Sequence, residues 1–332
     1  MSDVLYRVDN LNVHFPVRDK GLWGRSRLLR AIDDVSFAVH RGETLGVVGE
    51  SGCGKSTLLR ALMKLGPVTS GQLAFDGQAI EGLDDKAMRP LRRQLQMIFQ
   101  DPLASLDPRM TVGQIIAEPL QALMPELSAS ERRDKVQEVM ARVGLLPEQI
   151  NRYAHEFSGG QAQRIGIARA LVVEPALVVC DEPVSALDVS IKSQVINLLM
   201  DLRDQRGLTY VFIAHDLASV RHIADRVVVL YLGRVMEIAS RDALYAKPQH
   251  PYTQMLLSAV PIPDPTIARQ RQMSVVRGEL PSPLNPPSGC AFRTRCPHAT
   301  DRCANERPTL RQVGQSQVAC HHAETISIAD AS

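Results

Sequence analysis

The sequence predicts an α/β fold with an inserted helical segment and a small cysteine-bearing extension, and three observations predict it. Short β-rich runs alternate with helical patterns through most of residues 1–250. The run Leu177–Cys180 is wholly apolar, as a parallel strand covered on both faces requires. Residues 101–157 show helical periodicity and no convincing strand.

In chain order, Val4–Val8, Val35–Val39, Thr44–Val48 and Leu73–Phe75 read as strands, followed by Gln96–Phe99, Leu177–Cys180, Thr209–Ala214 and Arg226–Tyr231. Lys55–Leu65, Gly159–Val172 and Ile191–Arg206 read as helices. Within the insertion, Val112–Leu123 and Ala129–Val143 carry the helical period, with Ser128 or Ser130 as N-cap. Seven prolines between Pro261 and Pro287 rule out continuous regular structure, so that stretch is expected to be a linker. Arg18–Arg30 carries Arg18, Lys20, Arg25, Arg27 and Arg30 against Asp19 and reads as a solvated loop.

Lys+Arg total 38 against 36 Asp+Glu, a net charge of +2 that gives no argument for nucleic acid as partner. Met1–Asn10 holds Asp3, Arg7 and Asp9 and lacks a signal peptide's apolar core, so a cytoplasmic location is expected. No apolar run approaches the roughly 18 residues that span a bilayer. If the protein serves transport, another chain must supply the pore.

Gly49-Glu-Ser51-Gly52-Cys53-Gly54-Lys55-Ser56-Thr57 matches the phosphate-loop pattern, after a strand and opening a helix. Its glycines let successive N–H groups face one anion, and the helix N-terminus adds its positive end. Lys55 is expected on the β- and γ-phosphates and the Ser56 hydroxyl on Mg²⁺. The apolar strand ending in Asp181 and Glu182 sets two carboxylates at the sheet edge. Asp181 is expected to hold the Mg²⁺ hydration shell and Glu182 to polarise the attacking water. Ser158-Gly159-Gly160-Gln161 opens a second helix able to bind an anion. One nucleotide has one γ-phosphate, so a second such helix end implies a sandwich between two chains. Ser185-Ala-Leu-Asp188 follows the acidic pair and belongs at that interface, and His215 ends a strand at the nucleotide-binding edge.

This set of motifs resembles the ABC (ATP-binding cassette) ATPases over residues 4–245: Walker A at Gly49–Thr57, Q-loop Gln100, signature Ser158–Gln161, Walker B Asp181 with Glu182, D-loop Ser185–Asp188 and switch His215. The resemblance implies an ABC-type phosphate-loop core with an antiparallel β subdomain and an inserted helical subdomain. It also implies two ATP molecules held between two subunits, with Gln100 sensing the γ-phosphate and Mg²⁺, and Phe15 stacking on adenine. The division it implies is a nucleotide-binding core at 1–100 and 158–250, a helical insertion at 101–157 and an extension at 251–332.

His250-Pro-Tyr-Thr253, Gly278–Pro287 and the cysteines Cys290, Cys296, Cys303 and Cys320 resemble the C-terminal extension of oligopeptide and dipeptide importer ATPases, most closely the F-type subunit of dipeptide importers. Nickel and glutathione importers share much of the pattern, and a soluble ABC ATPase acting on DNA or ribosomes is the other class. The single phosphate loop and the absence of sustained heptads argue against the latter. The importer resemblance implies a non-identical second ATPase, two membrane permease subunits, an extracytoplasmic peptide-binding protein, and residence on the cytoplasmic face of the cell membrane. The cysteine spacing departs from the close pairing of most structural zinc sites. The resemblance implies a four-iron four-sulfur cluster on the four thiolates, with zinc as the alternative and His298, His321 and His322 as spare ligands.

Overall fold

The computed structural model describes residues 3–18, 26–259 and 279–326. Most of the expected proline-rich linker and of the basic Arg18–Arg30 segment lies outside the described residues. The chain forms two compact units: Met1–Leu5, Val39–Thr44 and Gly82–Ile213 make the first, and Tyr6–Ala38, Leu45–Glu81 and Ala214–Ser332 the second.

In the first unit, Leu95–Ile98, Leu177–Asp181 and Thr209–Ala214 pair in parallel, with Leu95 opposite Leu177 and Leu177 opposite Thr209. The middle strand is buried from Leu177 to Cys180. The expected helical insertion is there, as helices Pro102–Ser105, Val112–Leu123 and Ala129–Arg142. Val112–Leu123 buries Val112, Ile115, Ile116 and Leu120, a stripe at helical spacing, and packs on the helix Gly159–Leu171. Each such side chain taken from water contributes about 1.5–3 kcal/mol. Val112–Leu123 and Ala129–Arg142 start at capping boxes, Thr111 with Gln114 and Ser128 with Glu131. Ser128, not Ser130, is thus the cap.

The second unit carries most of an antiparallel sheet that runs in the order Ser26–His40, Val4–Arg18, Ser70–Phe75, Gln78–Ala79. The first two strands are far longer than the sequence patterns suggest. A bulge between Asp9 and Asn12, with Asn10 at φ 49°, interrupts the side-chain alternation without ending the strand. The bulge is held by the Asn10 amide donating to Asp34 at 2.8 Å and the Asp34 N–H donating to Asn12 at 2.9 Å.

The same unit aligns Leu45–Val48 in parallel with Arg226–Val229. Antiparallel neighbours Arg234–Ser240, Ser316–Val318 and Arg311–Val313 follow. Among the described residues no helix is long and apolar enough to cross a membrane.

Candidate nucleotide site

The strand Thr44–Val48 is buried throughout and delivers the chain into the Gly49–Thr57 loop. At Gly49 a Cβ would lie 2.2 Å from the Leu230 carbonyl oxygen. At Gly54, with φ +109°, it would lie 2.4 Å from that of Ala31. Only glycine fits at either position. Gly54 caps the helix Lys55–Leu62 with no side-chain hydrogen bond. The first-turn N–H groups and the dipole's positive end therefore remain for an anion, and the loop fits a polyphosphate.

Lys55 is only 6% exposed, and its ammonium donates to the carbonyls of Gly49 at 2.8 Å and Glu50 at 3.1 Å. Along the loop Ser51, Gly52 and Ser56 are exposed and Thr57 is half-buried. Cys53 is buried, and burial holds its thiol above the usual value despite the opposing pull of Lys55. In the same unit Phe15 is half-buried on the strand Val4–Arg18. His215 is exposed just after the strand Thr209–Ala214.

In the first unit Asp181 ends its strand and Glu182 follows in the left-handed region at φ 41°. For a non-glycine residue that conformation costs about 1–3 kcal/mol. It is held by the Glu182 N–H donating to Ile213 at 3.0 Å, and by the Ser185 N–H and hydroxyl donating to the Glu182 carbonyl at 3.1 and 3.0 Å. The turned carboxylate accepts a hydrogen bond from the Gln100 amide at 3.2 Å, so the structure brings two of the expected catalytic residues together.

Ser158 caps the helix Gly159–Leu171 in a box with Gln161, and Ser158 and Gly159 are exposed. Gly160 has a packing reason as well: a Cβ there would lie 2.5 Å from Cγ2 of Ile191. Ile191 belongs to the helix Val189–Arg206, which the exposed Asp188 precedes.

Cys290, Cys303 and Cys320 are buried and Cys296 is half-buried. Burial first, then the neighbouring thiols, pushes Cys290 up to about 11 and Cys296 up to about 12. The four thus share one neighbourhood. Yet among the described residues no three His, Cys, Asp or Glu side chains form a group able to hold a metal ion. The Cys303 sulfur instead sits 3.7 Å from the Thr300 hydroxyl, and that of Cys320 accepts the His322 N–H. His321 bonds to the Glu306 carbonyl and His322 to Thr300. The expectation of an iron–sulfur cluster, or of zinc, thus gains no support from this arrangement.

Sequence reasoning missed a polar hub beneath the phosphate loop. Glu237 is fully buried on the strand Arg234–Ser240 and accepts the N–H groups of Gln249 and His250, both at 2.9 Å. Burial outweighs these bonds and raises its pKa. The buried ring of His250 caps the helix Pro251–Ser258 by accepting the Tyr252 N–H at 3.0 Å. Burial lowers its pKa to about 3, so the ring is neutral. Tyr252 then packs with Tyr231 and Phe292, ring centroids 4.7 and 5.3 Å away. The His-Pro-Tyr-Thr run was the available signal for this hub.

The family model for ABC transporters matches residues 32–185, and that for the oligopeptide/dipeptide transporter C-terminal region matches 236–303. Oligopeptide transport ATP-binding protein OppF of Salmonella typhimurium is 55% identical over 96% of each chain. That of Haemophilus influenzae is 54% identical over 96% of this chain and 97% of its own. Among solved structures, cbiO1 from Clostridium perfringens, part of the ABC transporter complex cbiONQ, superposes with TM-score 0.64 at 28% identity, covering 74% of this chain and 92% of its own. A dimeric post-hydrolysis ATP-binding cassette bound to ADP and Pi gives TM-score 0.63 at 28% identity, covering 71% and 98%. With its phosphate loop, its acidic strand end and relatives matched along nearly their whole length, this chain belongs to the oligopeptide-transport ATP-binding proteins of the ABC transporter family.

Proposed function

We propose that this chain binds and hydrolyses ATP to drive peptide import through a membrane permease. The observation that carries the reading is the Gln100–Glu182 hydrogen bond at a strained turn, which fixes the carboxylate suited to orient a water. Lys55 exchanges its loop carbonyls for the β- and γ-phosphates, and N–H groups of the Gly49–Thr57 loop other than those of Glu50 and Cys53 surround them. Ser56, Gln100 and Asp181 are the oxygen donors for Mg²⁺, and hydroxyl, amide and carboxylate oxygens suit that hard cation. Bound there, Mg²⁺ neutralises phosphate charge. Glu182 accepts the proton of the attacking water, His215 contacts the γ-phosphate, and Phe15 stacks on adenine.

Ser158, Gly159, Gly160, Gln161 and Asp188 serve the nucleotide of a second, non-identical ATP-binding subunit. Their support is the exposure of Ser158, Gly159 and Asp188, together with Val189, which is 83% exposed. Exposed Phe99 and Leu103 beside Gln100 support a contact with permease subunits through the helical insertion, residues 101–157. The core would then be 1–100 with 158–250 and the extension 251–332. The chain sits on the cytoplasmic face of the membrane, and an extracytoplasmic binding protein delivers peptide.

Mild-detergent capture of the tagged protein from its own cells tests this reading. Two membrane subunits, a second ATP-binding subunit and a peptide-type binding protein are expected. Ribosomal or DNA-repair partners with no membrane protein would remove the transport reading.

A further inference from the structure

Two contacts from the C-terminal part of the chain converge on one residue of the phosphate loop. Glu50 directly follows Gly49, at a position the phosphate-loop pattern leaves unspecified. Its N–H donates to the Tyr252 hydroxyl at 2.9 Å. Its two carboxylate oxygens accept from the two terminal nitrogens of Arg295 at 2.6 and 2.9 Å, a bidentate pair spanning 245 residues of sequence. The Arg295 side chain is 4% exposed and that of Glu50 29%.

Each partner is itself held. Arg295 projects from a compact turn in which its own N–H and that of Cys296 both donate to the Phe292 carbonyl at 3.0 Å. Its guanidinium lies 5.9 Å from the ring centroids of both Tyr231 and Phe292. Tyr252 stands in the first turn of a helix capped by the buried His250. The clamp therefore rests on rigid, packed supports.

Two physical consequences follow for a loop that binds polyphosphate. A glycine-rich loop loses conformational freedom when it closes on its ligand, and a loop already held forfeits less of the binding energy. A carboxylate one residue into an anion site also repels the anion unless a fixed cation neutralises it.

We propose that the C-terminal extension is a positioning element of the ATP site, with Arg295 and Tyr252 fixing the phosphate loop through Glu50 and Arg295 neutralising the Glu50 carboxylate. This rests on the phosphate loop being the ATP site. ATP affinity of the full chain with Mg²⁺, measured by calorimetric titration, separates the two. Wild type that fails to bind ATP removes the loop's role itself.

With wild type binding, Arg295→Gln is expected to weaken ATP about tenfold by stranding the carboxylate. Arg295→Lys, which keeps the charge and loses the fork, is expected to lose about threefold. Adding Glu50→Gln to Arg295→Gln is expected to recover part of the loss, because the stranded charge is gone. A general structural role of Arg295 would show no such recovery. Affinity of Arg295→Gln within about twofold of wild type, or a loss that Glu50→Gln leaves untouched, overturns the proposal. Should Arg295→Gln not fold, Tyr252→Phe carries the test: about threefold weaker binding is expected, and unchanged affinity overturns it.

Discussion

The Gln100 amide nitrogen lies 3.2 Å from a carboxylate oxygen of Glu182, and Glu182 is held at φ 41° to make that contact. Backbone strain kept at a carboxylate beside the end of a buried strand supports the proposed role of Glu182 as the base. The pairing also places a neutral amide against the group suited to act as base. A substrate that draws the Gln100 amide away thereby changes how the base is held.

Glu182→Gln is therefore expected to cut ATP turnover by about 10²–10⁴-fold while leaving ATP binding intact. Phosphate release and nucleotide titration on the same preparation check it. Turnover within a few-fold of wild type would take Glu182 out of the mechanism.

Gly54→Ala is expected to abolish measurable ATP binding. The added Cβ meets the Ala31 carbonyl oxygen at 2.4 Å, and the position demands φ +109°. Neither demand is met without shifting the loop from the helix it caps, at a stability cost of more than about 1 kcal/mol. Nucleotide titration alongside urea unfolding reads both effects.

How far the sequence disclosed these features depended on local chemistry. Thr44–Val48, Thr209–Ala214 and Arg226–Tyr231 match the expected strands residue for residue, because buried parallel strands need uninterrupted apolar side chains. Arg234–Ser240 was missed because Glu237, although fully buried, breaks that pattern. The long strand Val4–Arg18 is only partly legible in the sequence because the Asn10 bulge disrupts the alternation of period two. The phosphate loop and the acidic strand end were legible since their chemistry demands fixed residue types at fixed spacing, whereas Gln100 came only from the family resemblance. Glu50 was not legible, since its partner lies 245 residues away and the motif leaves its position open.

A pH dependence should follow from His250. Burial lowers its pKa from 6.5 to about 3. Between those values the unfolded chain binds the proton and the folded chain does not, so stability rises with pH across that window and falls on acidification below about 6.5. From pH 7 to pH 5 the loss attributable to this ring is about 2 kcal/mol. His250→Asn retains an N-cap oxygen for the Tyr252 N–H and has no titrating ring. Urea unfolding at the two pH values should show the variant losing about 2 kcal/mol less than wild type. Equal losses would mean that the ring titrates normally in the fold.

The signature helix offers a steric test that separates packing from phosphate contact. Gly160 lets the helix Gly159–Leu171 approach Ile191, and a Cβ there would overlap the Ile191 Cγ2 at 2.5 Å. A β-branched side chain in a helix has little rotamer freedom with which to yield. Gly160→Ala is therefore expected to cost about 1–3 kcal/mol of stability. Ile191→Ala, added to it, removes the opposing methyl and should restore most of that stability. If the double variant regains stability but not ATP turnover in the assembled transporter, Gly160 serves the nucleotide as well as the packing. If both return together, the glycine is there for the helix contact alone.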